Sequence, residues 1–450
     1  MRATNYAGVA VGALLMLLDG AAAKQQDPRC DMDMVPKELE AYINKDSVMH
    51  HMQELNRIAH EAPSGHRIAG SRGGNATLQY IGQQLSEAGY DVEMVPFHEK
   101  VQVHGTAKLV TQESGLGPIS EDLKFVPAEN NGCVVEDYPT SVQGQIALAD
   151  GNGCSLSHKS AIAKKAGAEV LVIYETTELQ PSLGGMNSSH IATVKVPVVE
   201  APKLLQAHSA SFDLTANITV RTLTMPIDSA NIVATSPCGN NRKTLLVGAR
   251  SDTFLESAGM NDNGSGVAAL LETAIQLAKY RTGHKVKFAF WTAGHSGNLG
   301  SRAWVSQASR SADLDGVKLY VDVNMIASAN GFTQLYGGAG GAGDAQGVLR
   351  DWFTTHGVAT KDANFSGRGD YQPFLDAGVA ATGLFAGADG IKTAEEQNKS
   401  NNANGAAGYP YDPTYHSTLD VINMIDQDLL YDNARAVAHL VAAMLTKIPK

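Results

Sequence analysis

The residue types able to do chemistry are gathered in six short fragments of this 450-residue chain: GARSD (248–252), GMNDNGSG (259–266), FWTAGHSGNLGS (290–301), DVNMIAS (322–328), SGRGDYQPF (366–374) and YDPTYHSTLD (411–420). Among the groups they supply are the carboxylates of Asp252 and Asp262, the imidazoles of His295 and His416, the guanidiniums of Arg250 and Arg368, and the phenol of Tyr415. Carboxylates and imidazoles hold metal ions and move protons in hydrolysis. An arginine does neither, because it stays protonated and has no lone pair to give, but it can hold a carboxylate.

These fragments sit where apolar runs of strand length end. NIVATSP, TLLVGAR, KVKFAFWTA, VKLYVDVNMI and ATGLFAGA are separated in several places by helical stretches, among them GVAALLETAIQLAKY, SRAWVSQAS and AQGVLRDWFTTHG. Near-continuous apolar strands alternating with helices imply an α/β fold with a mostly parallel mixed sheet, covered by helices on both faces. In such sheets a site lies beyond the carboxyl ends of the strands, where the fragments fall. Upstream, Pro36 to Tyr90 reads as helical with a loop, PSGHRIAGSRGG, between the helices, and YDVEMVPFHEKVQVHGTAKLV alternates like a long strand pair. Residues 116–224 differ in character, with short strand signals, one helix and Gly-rich turns, and read as a small α/β unit inserted in the larger one. The last helix, Gln427 to Lys447, carries Leu430, Val437, Leu440, Val441 and Met444 on one core-facing stripe.

Taken in order, the six fragments resemble the secreted fungal leucine aminopeptidases and aminopeptidase Y, which are co-catalytic zinc exopeptidases. The inserted unit, with NNGC and GNGC, is similar to their protease-associated domain, and the resemblance covers nearly all of the mature chain. It implies the zinc-exopeptidase fold and a site in which two zinc ions share a bridging carboxylate and a water, with a separate carboxylate to take the proton. Carried over residue by residue, that pattern departs at several positions. Arg250 stands where the family has its first His ligand, although Asp252, which orients that His, remains. Asp262 keeps the bridging position. Gly294 stands at the general-base Glu, His295 at the next Glu, a zinc ligand, and Asn324 at the Asp ligand. His416 keeps the last ligand position and Tyr415 the phenol that polarises a carbonyl.

Sorted by metal, the first zinc position would consist of Arg250, Asp262 and Asn324, which is not a metal site. The second, Asp262, His295 and His416, is an acceptable zinc set with an open fourth position. The resemblance therefore implies no cofactor, or at most one zinc ion, and Arg250 is expected to reach Asp262 and stand in for the missing cation. Arg368, in the family's substrate-side Gly-Arg-x-Asp motif, holds either a ligand carboxylate or an ion pair with Asp370. The loop from Asn398 to Gly408 either flanks the pocket or is a surface excursion. The function implied is a non-peptidolytic homologue binding a peptide-like or small-molecule ligand in the old cleft. The alternatives are an enzyme of altered chemistry on a peptide-like or amide-bearing metabolite, and a genuine zinc aminopeptidase.

Composition sets the frame. A chain of 450 residues is more than one ordinary core holds, so two packed units are expected. The net charge of −11 excludes a nucleic-acid-binding surface, and nothing beyond the first 25 residues is apolar for long enough to span a membrane. Arg2, the apolar run Ala7 to Leu18 and Ala21-Ala22-Ala23 read as a signal peptide, 1–23. The expected domains are then 24–115 with 225–450, and the protease-associated insert 116–224, in a protein secreted or delivered to a vacuole by the secretory pathway. Export makes Asn75, Asn187, Asn217, Asn364 and Asn398 candidate glycosylation sites, whereas the sequon at Asn263 belongs to a motif expected to be buried. Cys133 and Cys154 read as one local disulfide, while pairing of Cys30 with Cys238 stays open.

Overall fold

The computed structural model describes residues 35–447 apart from 114–122, 152–153, 155, 175–189, 197–201, 203, 206–213, 255–256, 338–341, 401 and 403–404. The expected signal peptide, Cys30 and Asn187 lie outside the described residues. The strands are β1 (Asp91–Glu113), β2 (Leu123–Pro127), β3 (Ile146–Asp150), β4 (Val170–Tyr174), β5 (Ala192–Lys195), β6 (Leu214–Thr235), β7 (Asn240–Arg250), β8 (His284–Trp291), β9 (Val317–Val323), β10 (Gln334–Tyr336), β11 (Lys361–Ala363) and β12 (Ala381–Phe385). They form one sheet in the order β11-β10-β12-β9-β7-β8-β6-β2-β3-β4-β5, with β1 paired to β6. At its centre β8, β7, β9 and β12 run parallel, so their carboxyl ends open on one side.

The helices are α1 (Pro36–Tyr42), α2 (Lys45–Glu61), α3 (Arg72–Glu87), α4 (Leu156–Lys165), α5 (Gly266–Leu277), α6 (Leu299–Ser311), α7 (Gly343–Thr355), α8 (Gln372–Asp376), α9 (Ala394–Lys399) and α10 (Gln427–Lys447). Local chemistry starts them where the sequence allows. The Asn44 side chain accepts from Ser47 N at the head of α2, and Ser71 accepts from Gly74 N at the head of α3. On α2 the buried residues Val48, Met52, Leu55, Ile58 and Ala59 recur at three- and four-residue spacing and face the sheet. Two apolar layers sandwich the central strands. One is built on α1, α2, α3, α5, α7 and α10 and takes Leu245, Val247 and Ala249 of β7; the other, with Trp304 of α6 and Phe374 of α8, takes Leu246. Both faces of β7 are therefore dry, as a parallel central strand requires.

The alternating segment after Tyr90 is not a strand pair. It is the single strand β1, and its antiparallel partner is the distant β6, matched from Asp91↔Thr235 to Glu113↔Leu214. Alternation reports that one face differs from the other and carries no information about which segment lies alongside. These two long strands lead to the inserted unit, whose parallel strands β2 to β5 pack on α4. The Cys133–Cys154 disulfide closes a loop of that unit, and Cys238 is likewise disulfide-bonded. Asn75, Asn364 and Asn398 are exposed, Asn217 lies in β6, and Asn263 is fully buried. Among the described residues no helix is long and apolar enough to cross a membrane.

Candidate functional site at the strand ends

Three adjacent parallel strands deliver the predicted residues to one place. Arg250 ends β7 and Asp252 follows it, Gly294 and His295 follow β8, and Asn324 follows β9. Each chain turns sharply there, and Ala293 and Met325 adopt positive φ, as does His416 on the long loop after β12. Left-handed backbone at three non-glycine residues is costly and persists only where surrounding contacts fix it. The fixing contacts are visible. The Asn263 side chain accepts from Met325 N and donates to the Val323 carbonyl, binding the β7–α5 loop to the end of β9. The Asp420 carboxylate accepts from the backbone N of both Asn261 and Asp262, at 2.6 and 3.0 Å. Arg67, wholly buried, donates to the carbonyls of Ser251, Ala258 and Gly259 and holds the loop that leads to Asp262. Its pKa is lowered to about 10 by burial, only partly opposed by the charges of Asp420, Asp252 and Asp262.

Asp262, His295 and His416 come together. His295 Nε2 lies 3.0 Å and His416 Nε2 3.2 Å from the same Oδ2 of Asp262. Asp252 supports this cluster from behind: its Oδ1 accepts from Gly294 N at 2.9 Å, and its Oδ2 stands 3.3 Å from His295 Nδ1. Burial opposes protonation of His295, but the Asp262 charge and the hydrogen bonds to Asp252 and Asp262 outweigh it, and the imidazole is raised to about 9. His416 is lowered, because burial there exceeds the pull of Asp262. Asp262 itself is buried, yet the two imidazoles hold it well below the usual carboxylate range. Phe254 completes the arrangement. Its ring stacks on His416 at 4.1 Å and 3°, while Tyr415 stacks on His416 at 3.7 Å and 24°. Two near-parallel rings that close must occupy opposite faces, so His416 is clamped between them, and Phe254 also meets His295 edge-on at 6.2 Å.

Arg250 does not reach Asp262, contrary to the expectation from sequence. Its Nη2 donates to Asn298 Oδ1 and to the Arg368 carbonyl, both at 3.0 Å, and its Nε faces Asp370 Oδ2 at 3.6 Å. Both imidazoles already lie against Asp262 Oδ2, whereas Asp370, 1% exposed and held by Ser301 Oγ at 2.6 Å, has no imidazole beside it and takes the guanidinium. Arg368 in turn does not pair with Asp370. It donates to Asp389 Oδ1 at 3.1 Å and to the Tyr415 hydroxyl at 3.0 Å. Arg250, Asn324, Arg368 and Tyr415 line one cavity of about 570 Å³ with Tyr336 and Asp389. The described residues of the Asn398–Gly408 loop are not on that wall; Asn330 donates to the Ala406 carbonyl and Asn402 to that of Ala329.

Comparison with known proteins now bears on this geometry. Residues 231–441 match the family description Peptidase family M28, and residues 119–203 match a PA domain. Over 425 residues the chain is 30% identical to leucine aminopeptidase 2 of Arthroderma otae, covering 90% of this chain and 85% of that protein. It is 32% identical to a probable lipoprotein aminopeptidase, LpqL, of Mycobacterium tuberculosis, covering 89% and 84%. The chain belongs to peptidase family M28. Among solved structures, an aminopeptidase from Aneurinibacillus sp. strain AM-1 superposes with a TM-score of 0.62 at 22% identity, over 90% of this chain and 95% of that one. BSAP, a zinc aminopeptidase from Bacillus subtilis, superposes at 0.54 and 21%, over 89% and 95%. The M28 fold with a PA domain inserted is thus the architecture.

M28 relatives that are zinc aminopeptidases raise the question of which donors here fit a metal. Among the described residues, Asp262, His295 and His416 are the one group of three whose ligand atoms all lie within 4.8 Å of one another. The spacings of 3.0 and 3.2 Å are close to the edge of a zinc tetrahedron, about 3.3 Å for bonds near 2.0 Å. The Oδ1 of Asp262 is buried without a hydrogen-bond partner, which a metal would relieve. That set fits one ion. Around Arg250 and Asn324 no second set forms among the described residues, since a guanidinium offers no lone pair. Phe254, Asn298, Arg67 and Asp420 were not singled out from sequence. Phe254 lies two residues beyond Asp252, but no spacing rule marks a ring that caps a histidine, and Arg67 sits in a loop whose helical flanks gave the stronger signal.

Proposed function

We propose that this M28 member binds a peptide-like or small-molecule ligand in the strand-end cavity and does not cleave peptides by the two-metal route. One observation carries the reading: the Arg250 side chain runs across Gly294, so that a Cβ at that glycine would meet Arg250 Nε at 2.1 Å and Cδ at 2.5 Å. The family resemblance assigns the proton-accepting carboxylate to that position, and no such side chain can stand where the arginine lies. General-base catalysis is worth about 10²–10⁴-fold, and the loss of the first metal removes Lewis-acid activation as well.

A second reading has its own support in the Asp262–His295–His416 cluster. A zinc ion there would act as a Lewis acid toward a carbonyl oxygen. This chain's own residues would then orient the substrate: Tyr415, steadied by the Arg368 hydrogen bond, presents a hydroxyl to the cavity, and Asp252 fixes the His295 ring. The test is elemental analysis of purified protein alongside hydrolysis of Leu- and Lys-anilides with saturating zinc or cobalt. The expected result is no turnover and at most one ion per chain. Turnover like that of an ordinary aminopeptidase, or two tightly held ions, overturns the first reading; one ion with cleavage of another amide favours the second.

Export is proposed with it, to the extracellular space or a vacuole. The N-terminal pattern, the Cys133–Cys154 disulfide and the exposed sequons at Asn75, Asn364 and Asn398 support it. A mobility shift on endoglycosidase treatment of the protein from its own cells is expected, and an unshifted cytosolic band would refute it.

A further inference from the structure

The charged side chains along the cavity already have partners. Lys361 meets Glu396 at 2.6 Å, Arg368 meets Asp389 at 3.1 Å, and Arg250 faces Asp370. What the wall still presents is main chain. Strand β11 ends the sheet, and among the described residues it pairs with β10 alone. Lys361 N donates to the Thr333 carbonyl at 3.1 Å, and the Ala363 carbonyl accepts from Gly337 N at 3.3 Å. In a parallel pair these bonds turn the polar groups of Lys361 and Ala363 toward β10. Asp362, between them, therefore directs its N–H and C=O the other way, to the open edge.

The cavity follows that edge. Lys361 and Ala363 are in register with Gln334 and Tyr336 and share their face of the sheet, whereas the Asp362 side chain turns to the opposite face, where Arg350 meets it at 2.7 Å. Residues of both faces line the same cavity of about 570 Å³, so it wraps the edge that lies between them. Ile391, 48% exposed, borders the cavity as well. Its bridge to Pro410 is flanked by the bonds Lys392 N to Tyr409 O and Tyr411 N to Gly390 O, both 2.9 Å, which turn the N–H and C=O of Ile391 away from that partner. Among the described residues neither Asp362 nor Ile391 uses its backbone groups in a hydrogen bond with another part of the chain. A three-residue edge with charged side chains is a poor template for a second sheet, while a recess of this volume suits a few residues of extended chain.

Resting on the ligand-binding reading above, we infer that the cavity takes an extended peptide segment as an added strand, paired through its main chain with the N–H and C=O of Asp362 and with an apolar side chain against Ile391. Such recognition is of backbone, with side chains adding preference. It needs neither a free terminus nor a metal.

The experiment uses the full-length protein in chelator and a pool of random pentapeptides, acetylated at one end and amidated at the other. Capped peptides are expected to be retained, and the best of them, resynthesised, to lose at least tenfold in affinity when the backbone nitrogen that faces β11 is methylated, one position of the five showing the effect. Hydrogen exchange, read by mass spectrometry of proteolytic fragments, is expected to slow over 360–364 when that peptide binds. Asp362→Pro removes the outward N–H and leaves both bonds to β10, a position where an edge strand accepts proline. It is expected to weaken the peptide at least tenfold, while Asp362→Ala, which keeps the N–H, changes it less than twofold. Should the proline variant fail to fold, the methylation scan and the exchange measurement on the unmodified chain decide. Retention that no methylation weakens, equal loss in the proline and alanine variants, or a dimer that Asp362→Pro dissolves with no peptide retained overturns the inference while leaving a ligand-binding cleft. A silent pool with binding of leucinamide or N-acetyl-leucinamide does the same. Silence from the pool and from both amides, with chelator and with zinc, overturns the ligand-binding reading as well.

Discussion

Gly294 and Arg250 are one feature written at two positions. The arginine crosses the glycine so closely that Nε, Cδ and Cγ would all lie within 2.7 Å of an added Cβ. Neither residue can therefore change alone without disturbance. Gly294→Ala is expected to destabilise the protein by about 1–3 kcal/mol, as overpacking does, and to cost less than about 0.5 kcal/mol once Arg250 is Ala. Chemical denaturation of the two single variants and the double variant closes that cycle, and simple additivity would mean that the arginine has room to move. The identities at these positions were legible in the sequence, because WTA and LGS flank Gly294 and fix the register. The direction of the guanidinium was not. A long side chain at a strand end can turn to either of two acids, and the choice of Asp370 over Asp262 depends on which carboxylate already has imidazoles beside it.

At the scale of elements, the sheet positions residues only if the loops beyond it are held, and Arg67 holds the one that matters most. It bridges from the segment between α2 and α3 to three carbonyls on the β7–α5 loop. Arg67→Met keeps apolar bulk and removes all three donors. Each orphaned buried carbonyl costs about 1–3 kcal/mol, with some of it recovered by relaxation, so a total loss of about 3–5 kcal/mol is expected. Urea denaturation measures it, and a loss under about 1 kcal/mol would show that the loop stands without the arginine. Phe254 works at shorter range. Phe254→Ala is expected to remove about 0.5–1.5 kcal/mol of ring stacking and to raise the rate at which diethyl pyrocarbonate modifies His416. An unchanged rate, read by peptide mass analysis, would mean that Phe254 does not shield that imidazole. The helices, the apolar strands and the terminal stripe on α10 were readable from periodicity. The pairing of β1 with β6 was not, since the two are separated by the whole inserted unit and a period of two fits any partner.

For the molecule as a whole, the strand ends concentrate buried ionisable groups, and their combined titration sets stability against pH. Burial, reinforced by Asp370, pushes Asp322 up to about 8, and burial with the nearby Asp412 pushes Asp420 up to about 7. In the unfolded chain both titrate near 3.9, so the folded protein holds more protons through the interval between. Stability from these acids is therefore fully present below about pH 4 and is lost as pH rises through 7 and 8. His295 adds to the same slope, because its folded value of about 9 exceeds an unfolded value near 6.5, and its contribution disappears as pH rises across that window. Asp262 runs the other way, since its depressed pKa supplies stability above about pH 4 that is lost only on further acidification, outside the range of interest. With chelator present, the melting temperature is expected to be highest near pH 5 and to fall by about 5 °C or more by pH 9. Asp322→Asn removes one of the three sources and is expected to flatten the profile between pH 6.5 and 8.5, while Asp362→Asn, at an exposed position, leaves it unchanged. The tyrosine above it sharpens the test: Tyr320 donates to Asp322 Oδ1 at 2.9 Å, and an amide oxygen accepts that bond equally well, so the variant alters the charge and leaves the contact. A profile that rises toward pH 9, or one that Asp322→Asn leaves as steep as before, would place the decisive titration elsewhere in the molecule.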